Sequence, residues 1–393
     1  MGYTFYMPWK ETCPMNERLI LISEYLSGDY PISVLARRRG ISRKSAYKWI
    51  DRYQQDKAVG LEDLSRRPYC HPNALSKGMV QRILEWKAKY PLWGAPKIHS
   101  KLRPLKDCPA ESTVSNVLLR YGLTRKTRSR AKATPTMGPL ADIGAVNQVW
   151  CADFKGWFRT GNGQRCDPLT ISDAYSRYLL CCRGISGTTG WLTVKPLFER
   201  TFREYGMPQV IRTDNGAPFA SVGLMGLSSL SIWWLRLGIE LERIEPGHPE
   251  QNGRHERIHR TLKEAAIRPP RWNLVGQQQA FDDFKQEYNH ERPHEALGQQ
   301  PPASCYEPSK RDYPERLLEP EYPGGWTSRM VRINGVILLQ GREVYLTQAL
   351  SGQLVGLEPI DEGRWKIHFM HQPLALYDQR QKRVQPLTPN QKV

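Results

Sequence analysis

The sequence predicts a multidomain chain of tandem all-α helix-turn-helix units, an α/β core and a small C-terminal β-barrel. Three observations predict it. At 393 residues and 45.3 kDa the chain is too long for one ordinary domain, and 39% hydrophobic residues with twelve Trp suit packed cores. The positive charge is concentrated: residues 1–140 hold 26 Lys and Arg against 11 Asp and Glu, +15 of the formal +18. The hydrophobic period also changes along the chain, from helical to mixed to short alternating runs.

Residues 1–65 form the first unit. In Ile32-Ser-Val-Leu-Ala-Arg-Arg-Arg-Gly40 a short helix ends at glycine. Ser42 then caps a helix with Ala46, Trp49 and Ile50 at helical spacing, leaving Arg43, Lys44, Tyr47 and Lys48 on its exposed face as DNA contacts. Residues 73–124 form a second helix-turn-helix unit. Ser76 caps a helix bearing Val80, Ile83, Leu84 and Trp86, Ile98 and Leu102 mark a second helix, and Val114, Val117 and Leu118 face inward on a third that stops at Gly122. Residues 125–139 are a basic linker in which Arg125, Lys126, Arg128 and Arg130 are placed to meet phosphates. A basic N-terminal third on a near-neutral remainder points to a polyanion, most often nucleic acid.

Residues 140–308 carry the α/β core. Val149 to Phe158 alternates as a strand, Gly161-Asn-Gly163 is a hairpin turn, and strands follow around Leu169–Ile171 and Tyr178–Cys182. A helix spans about 189–205, and Gly206 and Pro208 stop it. A strand leads into Asp214, a helix around Ile232–Leu237 closes at Gly238, Ile239–Ile244 alternates, and a long helix runs from about Gln251 to Ala266. In residues 320–393, short apolar runs around Met330, Val336, Val344, Leu354, Trp365 and Leu374 alternate with turns, the pattern of the small barrel.

No apolar run reaches transmembrane length, and the N-terminus lacks the apolar segment and small-residue cleavage site of a signal peptide. The eight cysteines are scattered without a Cys-x-x-Cys, which predicts neither a disulfide framework nor a cysteine zinc site, but cytoplasmic thiols.

The chemistry centres on Ile211-Arg-Thr-Asp-Asn-Gly-Ala-Pro-Phe219. Asp214 falls at the C-terminal tip of a strand, where open α/β sheets hold ligands, and a carboxylate there suits a hard divalent cation. Asp153, in Trp150-Cys-Ala-Asp-Phe-Lys155, and Glu256, in the first turns of the long helix, supply partners. Such a set can hold one or two Mg²⁺ for phosphoryl transfer, with Mn²⁺ able to substitute. Arg260 and Lys263 lie at i+4 and i+7 from Glu256 on one helical face and, with Asn252, are assigned to holding DNA beside the site.

Four ordered motifs resemble those of DDE-class insertion-sequence transposases and retroviral integrases. Tyr205 to Phe219 looks like their second-Asp motif. His248-Pro-Glu-Gln-Asn-Gly-Arg-His-Glu256 is similar to Pro-x-x-x-Gly-x-x-Glu, and Tyr288-Asn-His-Glu-Arg-Pro-His-Glu-Ala-Leu-Gly298 to Asn-x-x-Arg-Pro-His-x-x-Leu. Asp173-Ala-Tyr-Ser-Arg177 fits the strand after the first Asp. The resemblance implies a ribonuclease-H-like core with Asp153, Asp214 and Glu256 as catalytic metal ligands. It implies nicking at element ends and joining of the freed 3′-hydroxyl to target DNA without a covalent protein intermediate. Two departures stand out. The Asp214–Glu256 interval holds 41 residues, longer than is usual for integrases, with Ser221 to Ser231 as the excess. The zinc module of retroviral integrases is replaced by the helix-turn-helix units, which favours the insertion-sequence branch.

His255-Glu-Arg-Ile-His259 also matches the His-Glu-x-x-His signature of zinc proteases. Its charged flanks and the prior claim on Glu256 weigh against that use. The pattern is also compatible with a non-catalytic DNA-binding regulator, a decayed transposase or a nuclease that cuts without joining. His290 and His294 are read as ordering the tail of the core, and Trp233 and Trp234 as core or multimer surface. The expected partners are double-stranded DNA, as element ends and target, and further copies of this chain, at least a dimer on DNA. No membrane is involved, and the setting is prokaryotic cytoplasm, at the nucleoid when DNA-bound.

Overall fold

The structure, a computed structural model, describes residues 13–65, 74–124, 140, 143–245, 251, 253–317 and 319–387. The chain divides into two compact units, Met1–Leu75 and Ser76–Val393.

The first unit holds α1 (Pro14–Ser27), α2 (Ile32–Arg38) and α3 (Arg43–Asp56). Ser42 caps α3, its hydroxyl accepting from Ser45 N–H at 3.1 Å. Gly40 takes φ +64° in the turn between α2 and α3, a conformation that glycine adopts without strain. Leu21 and Ile22 from α1, Leu35 and Ala36 from α2, Ala46 and Ile50 from α3, and Leu61 are all buried. Arg39 ties α2 to α1 through Glu24 at 2.6 Å and Glu17 at 3.1 Å.

The second unit begins with α4 (Lys77–Lys89), α5 (Ala95–Leu102) and α6 (Glu111–Arg120). Ser76 caps α4 by accepting from Met79 N–H, and Met79, Ile83, Trp93, Ile98, Leu102, Val114, Val117 and Leu118 are buried. On α4 the buried stripe runs through Met79 and Ile83, with Val80, Leu84 and Trp86 half-buried at its margin.

The α/β core follows in the order β1 (Val149–Phe154), β2 (Phe158–Arg159), β3 (Arg165–Asp173), β4 (Leu179–Ile185), α7 (Trp191–Tyr205), β5 (Val210–Thr213), α8 (Ser229–Arg236), β6 (Glu240–Arg243), α9 (Gly253–Leu262) and α10 (Leu274–Gln286). β1 is central: it runs antiparallel to β3 and parallel to β5, with β6 parallel beyond β5 and β4 antiparallel beyond β3. The strand expected over 149–158 is broken, because Gly156 at φ +84° turns the chain and β2 restarts as a short hairpin with β3. Val194, Phe198 and Phe202 of α7 and Trp233 and Trp234 of α8 pack on one sheet face. Ile258 and Leu262 of α9 with Phe281 and Phe284 of α10 pack on the other, against Leu179 and Cys182. A sheet covered on both faces with one antiparallel half is the ribonuclease-H-like arrangement. Trp233 and Trp234, 4% and 1% exposed, belong to its core.

The C-terminal segment adds β7 (Thr327–Met330), β8 (Val336–Leu339), β9 (Arg342–Tyr345), β10 (Leu354–Asp361), β11 (Arg364–Phe369), β12 (Gln372–Asp378) and β13 (Arg383–Pro386). The strands are present, but the expected barrel is not formed. The order β13-β12-β11-β10-β7 is an open antiparallel sheet, and β8–β9 is a separate hairpin. The interior explains the difference. Leu224, Leu227, Ile232 and Leu235 of the α/β core share one hydrophobic cluster with Val355, Leu357, Ile367, Phe369, Leu374 and Tyr377. The sheet stays open over residues that another part of the chain supplies.

Those residues include the excess stretch Ser221–Ser231. It folds as a 3₁₀ turn over Leu224–Gly226 and a capping box between Ser228 and Ser231 that starts α8. Arg243 of β6 holds it by donating to Met225 O and Gly226 O, both at 2.8 Å. Among the described residues no helix is long and apolar enough to cross a membrane, and every described cysteine is a free thiol.

Candidate functional site

Asp153 lies in β1, paired in register with Thr170 of β3. Asp214 is the first residue past β5, the parallel neighbour of β1. Its Oδ1 accepts from Gly216 N–H at 3.1 Å, and Asn215 Nδ2 donates to Ile244 O at 2.8 Å, tying the turn to the end of β6. A side chain at Gly216 would bring its Cβ within 3.0 Å of Asp214 Oδ2, so glycine keeps the carboxylate clear. Glu256 stands exposed in the first turn of α9.

The three carboxyl groups are electrically coupled. Burial, first of all, then the negative charge of Asp214 and that of Glu256 together push the Asp153 carboxyl up to about 7. The Phe154 N–H and the charge of Lys155 only partly oppose this. Carboxyl groups therefore gather at the tips of β1 and β5 and the start of α9. That donor set fits a hard divalent cation.

Beneath the carboxylates lies a second group. Ligand atoms of Asp153, His255 and His259 come within 4.8 Å of one another, as a metal site would require. The hydrogen bonding gives them another role. Nε2 of His255 and Nε2 of His259 both lie 2.7 Å from Thr170 Oγ1, and His255 Nδ1 lies 3.0 Å from Ser172 Oγ. Thr170 Oγ1 also donates to Asp153 O at 3.2 Å, and with its proton placed there the hydroxyl can accept from both imidazole Nε2–H groups. Ser172 O–H then donates to His255 Nδ1. His259 Nδ1 lies 3.7 Å from Asp153 Oδ2. Burial holds both imidazoles neutral, down to about 3 for His255 and about 2 for His259, so the Asp153 contact is not an ion pair. The hydroxyl occupies the point on which both Nε2 atoms converge. His255-Glu-Arg-Ile-His259 thus packs α9 against β3, with its two histidines pointing away from the exposed Glu256.

Arg43, Lys44, Tyr47 and Lys48 are exposed on α3 as expected. Arg260 is exposed on α9, but α9 gives way at Leu262 to a π-helical turn over Lys263–Ile267, so Lys263 leaves the regular register expected to align it with Glu256. Arg125, Lys126, Arg128, Arg130 and Asn252 lie outside the described residues. Thr170 and Ser172 were missed by sequence reasoning. Their signal was two hydroxyls at alternate positions of a buried strand, beside the apolar Leu169 and Ile171.

Comparisons with known proteins follow the same division. Residues 144–249 and 237–302 match integrase core domain families, residues 17–69 a helix-turn-helix domain, and residues 45–118 a homeodomain-like domain. The chain is 28% identical over 255 residues to an uncharacterized 39.2 kDa protein of insertion element IS476 from Xanthomonas euvesicatoria, covering 63% of this chain and 70% of that one. It is 26% identical over 231 residues to an uncharacterized 31.7 kDa protein of insertion element IS407 from Burkholderia multivorans, covering 58% and 79%. Among solved structures, the HTLV-2 integrase catalytic core domain in complex with magnesium overlays with a TM-score of 0.32 at 16% identity, over 42% of this chain and 99% of that one.

Proposed function

We propose that this chain, an integrase-core protein with helix-turn-helix domains and insertion-element relatives, is a transposase. In this reading it binds the ends of a mobile element, cleaves them and joins the freed 3′-hydroxyls to target DNA. The observation that carries the reading is the coupled carboxylate set, in which Asp214 and Glu256 both raise Asp153. Carboxyl groups gathered at adjacent strand tips suit a cation.

Asp153, Asp214 and Glu256 would hold one or two Mg²⁺, or Mn²⁺ in its place. Bound there, the metal would polarise the scissile phosphate and lower the pKa of the attacking water or 3′-hydroxyl. The chain's own residues set the geometry. β1 and β5 fix two carboxylates on a rigid sheet, and the Thr170–histidine chain fixes the helix that carries the third. Arg260, one turn beyond Glu256, is placed to meet the DNA backbone, with Lys263 beyond it. In the first unit, α3 presents Arg43, Lys44, Tyr47 and Lys48 to a groove. The basic linker and Asn252 complete the assigned DNA contacts. Two ends must be joined in one event, so the active form is at least a dimer on DNA, in a prokaryotic cytoplasm.

The test uses a labelled duplex carrying the inverted repeat that borders the gene. The protein should nick it and join it to a second duplex only with Mg²⁺ or Mn²⁺, and Asp214→Asn should abolish cutting while keeping end binding. Binding by wild type without cutting under either metal would leave a DNA-binding regulator. Cutting without joined products would leave a nuclease. Peptidase activity restored by Zn²⁺, with no nicking, would overturn both.

A further inference from the structure

Tyr288 to Gly298 is a motif that the carboxylate chemistry does not use. Tyr288 and Asn289 are buried, and Asn289 is fixed at both ends of its amide: Oδ1 accepts from Leu179 N–H at 2.8 Å and Nδ2 donates to Leu179 O at 2.9 Å. The segment is thereby fastened to the start of β4, two strands from β1.

Its other side meets the second helix-turn-helix unit. Trp93, fully buried and stacked on Tyr90 at 4.0 Å, donates its indole N–H to Glu287 Oε1 at 3.0 Å. Lys97 of α5 donates to Pro293 O. One turn along α5, Lys101 pairs with Glu291 at 3.4 Å and lies over the Trp86 and Trp93 rings. Three side chains from the loop before α5 and from α5 itself thus engage three points of one fastened segment. An isolated exposed pair would mean little, but a buried indole and a half-buried lysine donating to the same segment make a built contact.

We infer that the segment Glu287–Leu297 is a socket that locks the second helix-turn-helix unit to the catalytic core, and that this lock determines which phosphate is cut. The inference rests on the transposase reading and deepens it. This joint sets a duplex held by α4–α6 relative to the carboxylates, so a rigid joint fixes both distance and rotation. Lys97, Lys101 and Trp93 are positioning residues and touch no reacting atom.

The test uses the full-length protein in two forms. Lys97→Glu with Lys101→Glu puts two negative charges against Pro293 O, Glu287 and Glu291. Lys101→Glu with Glu291→Lys reverses the exposed pair and keeps the joint. Amide hydrogen exchange is read over 287–297 and over α9, and cut positions are mapped at nucleotide resolution on the labelled inverted-repeat duplex. In the first variant, exchange over 287–297 should rise on the order of tenfold with α9 unchanged, end binding should persist, and cuts should spread from one phosphate to its neighbours. The reversed pair should match wild type in both readouts. Unchanged exchange in the first variant overturns the socket, and so does lost end binding without an exchange change, which would assign the lysines to DNA. Raised exchange with cutting still confined to one phosphate overturns the positioning role. If wild type cuts nothing, the transposase reading fails on its own, and the exchange arm still decides whether the socket exists.

Discussion

Thr170→Val probes the link between fold and site most directly. Valine matches threonine in shape and suits a strand, so little volume is lost, but the hydroxyl between the two imidazoles disappears. Two buried ring nitrogens then lack partners in a place that water does not reach: Thr170 is 0% exposed, His255 1% and His259 5%. An unsatisfied buried polar group costs about 1–3 kcal/mol, so the pair should cost about 2–6 kcal/mol. For a domain of this size each kcal/mol lowers Tm by about 2–4 °C, so Tm should fall by at least about 4 °C. Thr170→Ser keeps the hydroxyl and should recover most of the loss.

The readouts are urea denaturation followed by tryptophan fluorescence, and cleavage against end binding at a temperature where every variant is folded. Glu256 rides on α9, which the hydroxyl pins to β3, so Thr170→Val should lower cleavage well beyond its effect on end affinity. A Thr170→Val protein within about 0.5 kcal/mol of wild type, the range of neutral surface changes, would sink the hydrogen-bonded chain as described. Equal loss in the valine and serine variants would show that packing, not the hydroxyl, holds the helix.

Three further outcomes follow from the same structure. Asp153→Asn should stabilise the protein in EDTA above pH 7, because a folded carboxyl raised to about 7 disfavours its own ionised form. The ionisation penalty is absent below pH 4, grows between pH 4 and 7 and is full above 7. The gain, about 4 kcal/mol at the shift cited, should vanish at pH 4 and shrink when Mg²⁺ stabilises wild type but not the variant; a variant less stable than wild type at pH 8 in EDTA would refute it. Replacing Arg43 and Lys44 by Ala should weaken end binding across sequences and make the slope of log affinity against log salt shallower by about 1 for each phosphate no longer neutralised, checked by titrations at several salt concentrations. Leu227→Ala, at a site 2% exposed between the α/β core and the C-terminal sheet, should cost about 2–5 kcal/mol and speed proteolysis after residue 320 before that of the core; uniform digestion would contradict the shared cluster.

What could be read from the sequence follows the range of each interaction. The capped starts of α3 and α4 and the stop at Gly40 are written within four residues of the feature they control, and all were legible. α1 was not singled out, because its buried pair Leu21–Ile22 acquires meaning only against Leu35, Ala36 and Ile50. α10 was missed because Leu274-Val-Gly-Gln-Gln-Gln-Ala opens with a glycine and a polar run, although Gln277 is buried and bonded to Ala266 O and Arg271 N–H. His255 and His259 were visible as a pair, but their role depends on Thr170 and Ser172, more than eighty positions earlier. The predicted barrel failed for the same reason. Alternation shows which strand faces are apolar, not which part of the chain covers them.

The long Asp214–Glu256 interval shows where this fold puts its additional residues. Phe219 is 1% exposed, packs on Phe154 beside Asp153 and on Trp234 of α8, and accepts from Ser228 Oγ through its carbonyl. It therefore clamps the tips of β1 and β5 before the additional residues begin. From Ser221 onward the stretch is held by Arg243 and by the apolar residues of the C-terminal sheet, contacts that bear on neither Asp153 nor Asp214. Length added after such a clamp is taken up away from Asp153 and Asp214, and here it forms the surface on which the last sheet rests. The added length and the open sheet are two sides of one packing solution: the stretch from Ser221 would expose Leu224 and Leu227 without the sheet, and the sheet would lack part of its core without the stretch.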